Sequence, residues 1–272
     1  MKLKILFIGL VLAFTQNAMA QDITGEKEEI LTDRPDQTES ANLVPAGALQ
    51  IETGFMIENT DLTGFGKLSD YTYNTTLIRY GLNEYIEFRF IQEMLGQKFT
   101  PTTGASASTS GAGPTTIGAK IKVAKANKLI PEMSFLGHVT FPNGSTDFNQ
   151  TYISAAFRFS MEYDLSDKFS MGINLGTERD GETPNTTGIY TLVFGVSPVD
   201  KVGVFIELYG FITERDKSID LSSATHDHRF NGGVTYSVSQ IVQLDVSAGI
   251  GLSEASAIDN FISAGVSFRL FK

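Results

Sequence analysis

Apolar and polar side chains alternate with period two along most of this chain. Val242, Leu244, Val246, Ala248 and Ile250 make one wholly apolar face, and Gln243, Asp245, Ser247 and Gly249 make a small, polar one. Ile153, Ala155, Phe157, Phe159, Met161 and Tyr163 alternate in the same way with Ser154, Ala156, Arg158, Ser160 and Glu162, and Ile262 to Leu270 repeat the pattern. Such alternation marks strands whose two faces meet different surroundings, and each segment runs for about 10 to 13 residues. Ordinary globular strands average about 5 or 6 residues. A tilted strand that crosses a bilayer needs about 9 to 11.

Twelve such segments can be traced, at 47–59, 70–80, 84–94, 114–125, 132–141, 150–164, 168–178, 187–198, 201–213, 225–238, 240–251 and 259–271. The connections between them alternate in length. Tight links such as Gly81-Leu82-Asn83, Val199-Asp200 and Ser239 alternate with longer polar stretches at 60–69, 95–113, 142–149, 179–186, 214–224 and 252–258. An even strand number with short turns at one end and long loops at the other predicts an all-β fold, a transmembrane antiparallel up-and-down β-barrel. Both termini then belong on the short-turn, periplasmic side, where the barrel-assembly machinery receives an exported chain. The Gly/Ala/Ser/Thr-rich stretch 102–113 reads as a flexible, disordered external loop.

The N-terminus changes the picture in one respect. Lys2 and Lys4, the apolar run from Ile5 to Phe14 and the small-residue site Ala18-Met19-Ala20 read as a secretory signal peptide over residues 1–20. The apolar run is too short for a membrane helix. Residues 21–46 then form a polar N-terminal segment and 47–272 the outer-membrane barrel. Without the leader's two lysines, 19 basic residues face 31 acidic ones, so nucleic acid, which needs a basic surface, is not an expected partner. The chain has no cysteine, which excludes disulfides and thiolate metal sites.

If the apolar face meets lipid, the polar face lines the lumen. Its charged members are Glu52, Glu87, Arg89, Lys120, Lys122, Arg158, Glu162, Glu207, Arg229, Asp245 and Arg269. Charges away from water must be paired or hydrated, so these groups are candidates both for structural pairing and for a mixed-charge permeation path. Catalytic constellations are weak. His226-Asp227-His228 sets two imidazoles on one strand face but brings no third metal ligand by spacing. A lipid hydrolase built on His228 lacks a serine nucleophile two residues later. Neither an enzyme activity, a metal nor any other cofactor is expected.

Between the leader and the first strand lies Leu31-Thr32-Asp33-Arg34-Pro35-Asp36-Gln37-Thr38-Glu39-Ser40, followed by Val44-Pro45, Gly47, Gln50, Glu52, Gly54 and Phe55. With Arg79-Tyr80-Gly81-Leu82, Glu87-x-Arg89, Thr116-Ile117-Gly118-x-Lys120 and Phe141-Pro142-x-Gly144, this block resembles the meta-pathway phenol-degradation transporter family of outer-membrane barrels. The resemblance covers nearly all of the chain beyond its leader; Pro114 stands where the family usually has an acidic residue. It implies passive movement of small, hydrophobic or aromatic molecules. The alternatives left open are a closed structural or ligand-binding barrel and a surface lipid hydrolase. Outer-membrane lipid and a small-molecule solute are the expected partners. Asp33, Arg34, Pro35, Asp36 and Glu39 are candidates for a lumen plug, against the alternative of a solvated tail.

Overall fold

The computed structural model describes residues 29–127, 129–182, 185–214 and 224–270. The signal peptide expected over 1–20, most of the 214–224 loop and the terminal Phe271-Lys272 lie outside the described residues. Those residues form one antiparallel sheet of thirteen strands. In chain order these are β1 (Leu49–Leu62), β2 (Gly66–Gly81), β3 (Ile86–Pro101), β4 (Ala107–Ala112), β5 (Thr116–Ala124), β6 (Glu132–Thr140), β7 (Ser154–Ser166), β8 (Phe169–Arg179), β9 (Thr186–Val199), β10 (Val202–Glu214), β11 (Ala224–Ser239), β12 (Val242–Gly251) and β13 (Asn260–Leu270).

Apart from β4, which pairs with β3 alone, each strand pairs with the strands before and after it, β3 with β5, and β1 pairs with β13, so the sheet closes on itself. Closure leaves no wall strand with an unpaired edge in an environment without water, which is the condition for crossing a membrane with strands. Twelve strands make the wall. The extra one, β4, pairs with the upper part of β3 from Met94↔Ala112 to Phe99↔Ala107, while β5 pairs with its lower part from Ile91↔Thr116 downward. The two act as one strand interrupted at Gly113-Pro114-Thr115, where proline has no N–H to give to a ladder. The stretch expected to be a disordered loop is therefore half strand. Its small residues lack the apolar face that marks a wall strand, yet backbone pairing to β3 needs no side chain.

The predicted 60–69 loop also shrinks. Strands β1 and β2 continue to Leu62↔Gly66 and leave only residues 63–65 as a turn, in which Gly64 takes a φ of 82° that favours glycine. At the opposite end the links are short, as at Asp167-Lys168, Asp200-Lys201 and Gln240-Ile241.

Outward faces are apolar: Phe88, Phe90, Ile117, Phe135, Ile206, Leu208, Val234, Leu244 and Val246 are all exposed in the isolated chain. The buried apolar core lies inside the barrel instead, where Leu77, Leu136, Ile189, Phe205, Tyr209 and Phe261 point inward. Because a bilayer replaces water outside, an ion on that wall near mid-height costs about 2–4 kcal/mol. Val246, on the outward face in mid-strand, is 54% exposed. Val246→Arg is expected to destabilise the vesicle-folded barrel by about that amount in a urea titration, and Val246→Thr by far less.

Candidate functional site

Residues 29–46 do not trail away from the barrel. They enter at the short-turn mouth, where the Ile30 N–H donates to the Gln240 carbonyl at 2.9 Å, and run inside the wall before returning to β1. Ile30, Ala41 and Val44 are almost fully buried there.

The centre of this region is Asp33. Its carboxylate accepts from Arg89 Nη1 at 2.5 Å and from Lys120 Nζ at 3.0 Å, and Arg79 Nη1 lies 3.1 Å away. Arg79 also meets Glu52 at 2.9 Å and Glu87 at 2.8 Å, and Arg89 meets Glu39 at 2.9 Å. All three wall cations are buried. The wall itself brings Arg79, Arg89 and Lys120 against Glu52 and Glu87; the N-terminal segment brings the further carboxylates, Asp33 and Glu39. Buried ions are tolerated only when paired and hydrogen-bonded in this way.

Wall carboxylates also bind the segment's backbone and hydroxyl groups. Glu52 accepts from the N–H groups of Asp33 at 2.9 Å and Arg34 at 3.1 Å. Glu207 accepts from the Gln37 N–H at 2.9 Å and from Asn231 at 2.7 Å. Glu87 accepts from the Val44 N–H at 2.8 Å. Glu162 collects the Ser40 hydroxyl, the Ala41 N–H and the Asn42 amide. Asn174 exchanges two bonds with the Glu39 backbone, at 2.7 and 3.0 Å. An irregular segment cannot satisfy its own peptide groups, and here wall side chains satisfy many of them.

Arg34 forms a pair with Asp245 at 2.9 Å and also donates to Ser263 at 3.0 Å. Its guanidinium lies on Gly54 and Gly265, which face each other across β1 and β13, and a Cβ on either would overlap it. The Pro35 carbonyl lies 3.5 Å from the Ser247 hydroxyl. Asp36 faces the side of the lumen formed by β7–β9. Arg158 donates to the Gln37 carbonyl at 3.0 Å and Arg269 to Gln50 at 2.9 Å. Lys122 pairs with Glu132 at 2.5 Å at the short-turn mouth. Arg229 forms a separate group nearer the long loops, with Asp227 at 2.7 Å, Glu58 at 3.5 Å and the Phe211 ring 5.2 Å below it.

All the charged positions anticipated for the polar face thus lie on the lumen side. Several participants were not anticipated: Arg79, Gln50, Asn231 and the apolar inward residues. His226 and His228 sit on the outer wall with ring centroids 5.9 Å apart, and His228 Nδ1 is 2.8 Å from the Tyr190 hydroxyl. Ser253 accepts from the His228 backbone N–H rather than from its ring. Among the described residues no group of three metal-ligating acids or histidines occurs.

The two aspartates of the segment differ in electrostatic setting. Burial alone would raise the Asp33 carboxyl, but Arg79, Lys120 and Arg89 outweigh it and hold the group well below the usual carboxylate range. Burial pushes Asp36 well above that range, reinforced by Glu207, Asp33 and Glu162. Asp33 therefore stabilises the fold in full at neutral pH and loses its contribution only as pH falls through its depressed value; Asp36 weakens the fold as rising pH ionises it. Asp33→Asn is expected to cost about 3–5 kcal/mol in a neutral-pH unfolding titration. Asp36→Asn should leave the midpoint unchanged or raise it.

The sequence matches one family model over residues 32–270, described as "Putative MetA-pathway of phenol degradation". No curated protein matches it. Among solved structures, it is similar to an outer membrane channel from Pseudomonas putida F1, at 13% identity and a TM-score of 0.68 over 92% of this chain and all of that one. It is also similar to the translocator domain of the autotransporter NalP from Neisseria meningitidis, at 13% identity and TM-score 0.51, over 84% of this chain and 90% of that one. A third is the transport unit of the autotransporter AIDA-I from Escherichia coli, at 8% and 0.50, over 95% and 97%. At such identities these likenesses show the fold, that of an outer-membrane barrel. The match over most of its length places the chain in the phenol-degradation family.

Proposed function

We propose that this member of the phenol-degradation family is an outer-membrane channel for passive movement of small hydrophobic or aromatic molecules, with residues 29–46 as its lumen plug. The observation that carries the reading is the mixed character of the interior. Phe205, Tyr209 and Phe211 of β10 and Phe261 of β13 point inward beside the paired charges, so one wall offers an aromatic ring both apolar contact and polar edges. The family description and the Pseudomonas channel agree with it. In this reading residues 1–20 export the chain, 47–272 are the barrel, the short-turn end faces the periplasm and membrane lipid surrounds the wall. Solute passage requires no catalytic group and no cofactor.

The second reading is a closed barrel, and the dense pairing around Asp33 favours it. Purified protein in planar bilayers separates the two. Discrete current steps are expected, and deletion of residues 22–44 should raise unit conductance several-fold. A folded barrel that is silent with and without the segment would overturn the channel reading. Liposome swelling should be faster with phenol than with a disaccharide; equal rates would remove the aromatic preference.

A further inference from the structure

The plug is held very unevenly around its circumference. On the β13–β1–β2–β3–β5 side the wall is carved to receive it: Arg34 lies on the glycine pair Gly54 and Gly265, and Gly81 receives the Val44 and Pro45 carbonyls, where any Cβ would overlap them. The Asp33 lattice ties the same side with charged bonds, and such bonds are the stronger class.

The opposite side is tied by Glu162 of β7 and Glu207 of β10, but the wall between them, along β8 and β9, differs. There the inward residues near the short-turn end are small, Ser170 and Gly172 on β8 and Val193 on β9. A recess of about 140 Å³ stays open between them and the segment. At roughly 30 Å³ per water, it has room for about four or five water molecules. The next inward residues, Asn174 and Thr191, close its far end. They do so through Asn174 bonds to the Glu39 backbone and a 2.6 Å contact between the Thr191 and Thr38 hydroxyls. That layer is one residue thick, and its bonds are neutral apart from the 2.6 Å bond that the Thr38 hydroxyl also gives to Glu207. Beyond it the wall offers Gly176 and Ile189, with Arg158 beside Gly176 and bonded to the Gln37 carbonyl. The recess is lined by Asp36, Glu39 and Glu162 and by no lysine or arginine; the Glu39 carboxylate is paired with Arg89, so the charge the recess meets is that of Glu162, whose bonds are to neutral groups.

We propose that the segment stays seated during transport, and that solutes pass beside it through this recess along β8 and β9. The recess admits neutral and cationic small molecules in preference to anions. For aromatic solutes, this means an uncharged phenol passes more readily than an aromatic carboxylate. The inference rests on the channel reading above and adds the route and its charge preference.

The absence of cysteine makes the test direct. Ser170→Cys lies in the recess, and Glu29→Cys with Ser237→Cys replaces a 2.9 Å contact at the mouth. A short bis-methanethiosulfonate bridge across that second pair fixes the start of the segment, whose other end is already continuous with β1. In planar bilayers the bridged protein is expected to conduct like the unbridged one. Modification of Ser170→Cys should remove more than half of the current, faster with a cationic methanethiosulfonate than with an anionic one. Val193→Phe should lower conductance in the same direction without any reagent, and a salt gradient should show potassium more permeant than chloride. Bridging that silences the channel, with recovery on reduction, would show that the segment must move and would overturn the proposal. So would a current indifferent to both Ser170→Cys modification and Val193→Phe, or a preference for chloride. A silent wild-type barrel overturns this inference and the channel reading together; a conducting one with any of the contrary results overturns the route alone.

Discussion

The interior of this barrel depends on the burial of Asp33 among Arg79, Arg89 and Lys120. Three cations on three strands of a narrow lumen repel each other, and Glu52 and Glu87 cannot balance them all. Low-polarity surroundings make an unmatched charge costly and a matched one strongly directional. The carboxylates of the N-terminal segment complete the set. The same segment lends its N–H groups to Glu52, Glu87, Glu162 and Glu207, which are thereby solvated by peptide rather than water. Wall and segment are each electrostatically incomplete alone. Their union is less a pore with an obstacle than a protein core turned inside out.

That inversion explains the distribution of residues. In a soluble barrel the apolar face would fill the interior; here it faces outward, and the interior combines ionic clusters with a smaller apolar patch of Leu77, Leu136, Ile189, Phe205, Tyr209 and Phe261. The glycines at 54 and 265 matter for the same reason as the charges. They remove side chains where the Arg34 guanidinium must lie flat on the wall. Along Ser170, Gly172 and Val193 the wall is small without being filled, and there a recess remains open.

Much of the fold was legible in the sequence because lipid outside and a polar interior impose a strict period of two. Each of the twelve anticipated segments corresponds to a wall strand, and the alternation of Val242 to Ile250 is seen in β12 almost unchanged. Strand β4 was missed because its six residues, Ala107–Ala112, are small on both faces. Arg79 was missed as a lumen residue because its neighbours Leu77 and Ile78 are both apolar, which hides the phase of β2. Its place beside Tyr80-Gly81, in a block quoted for family resemblance, was the available signal. The inward aromatics of β10 were hidden likewise, since Ile206 and Leu208 alternate with Phe205 and Tyr209. Pairings such as Asp33 with Lys120 join residues distant in sequence, and no local pattern encodes them.

Hydrogen exchange on the folded barrel in detergent micelles tests most directly whether the segment is a seated part of the interior. The amides of Asp33, Arg34, Gln37, Glu39 and Val44 all donate to wall side chains, and amides held in this way exchange only when the structure opens. Protection comparable to that of strand amides in β1 and β13 is predicted. Exchange at the rate of an unstructured peptide, with the barrel strands still protected, would contradict the account.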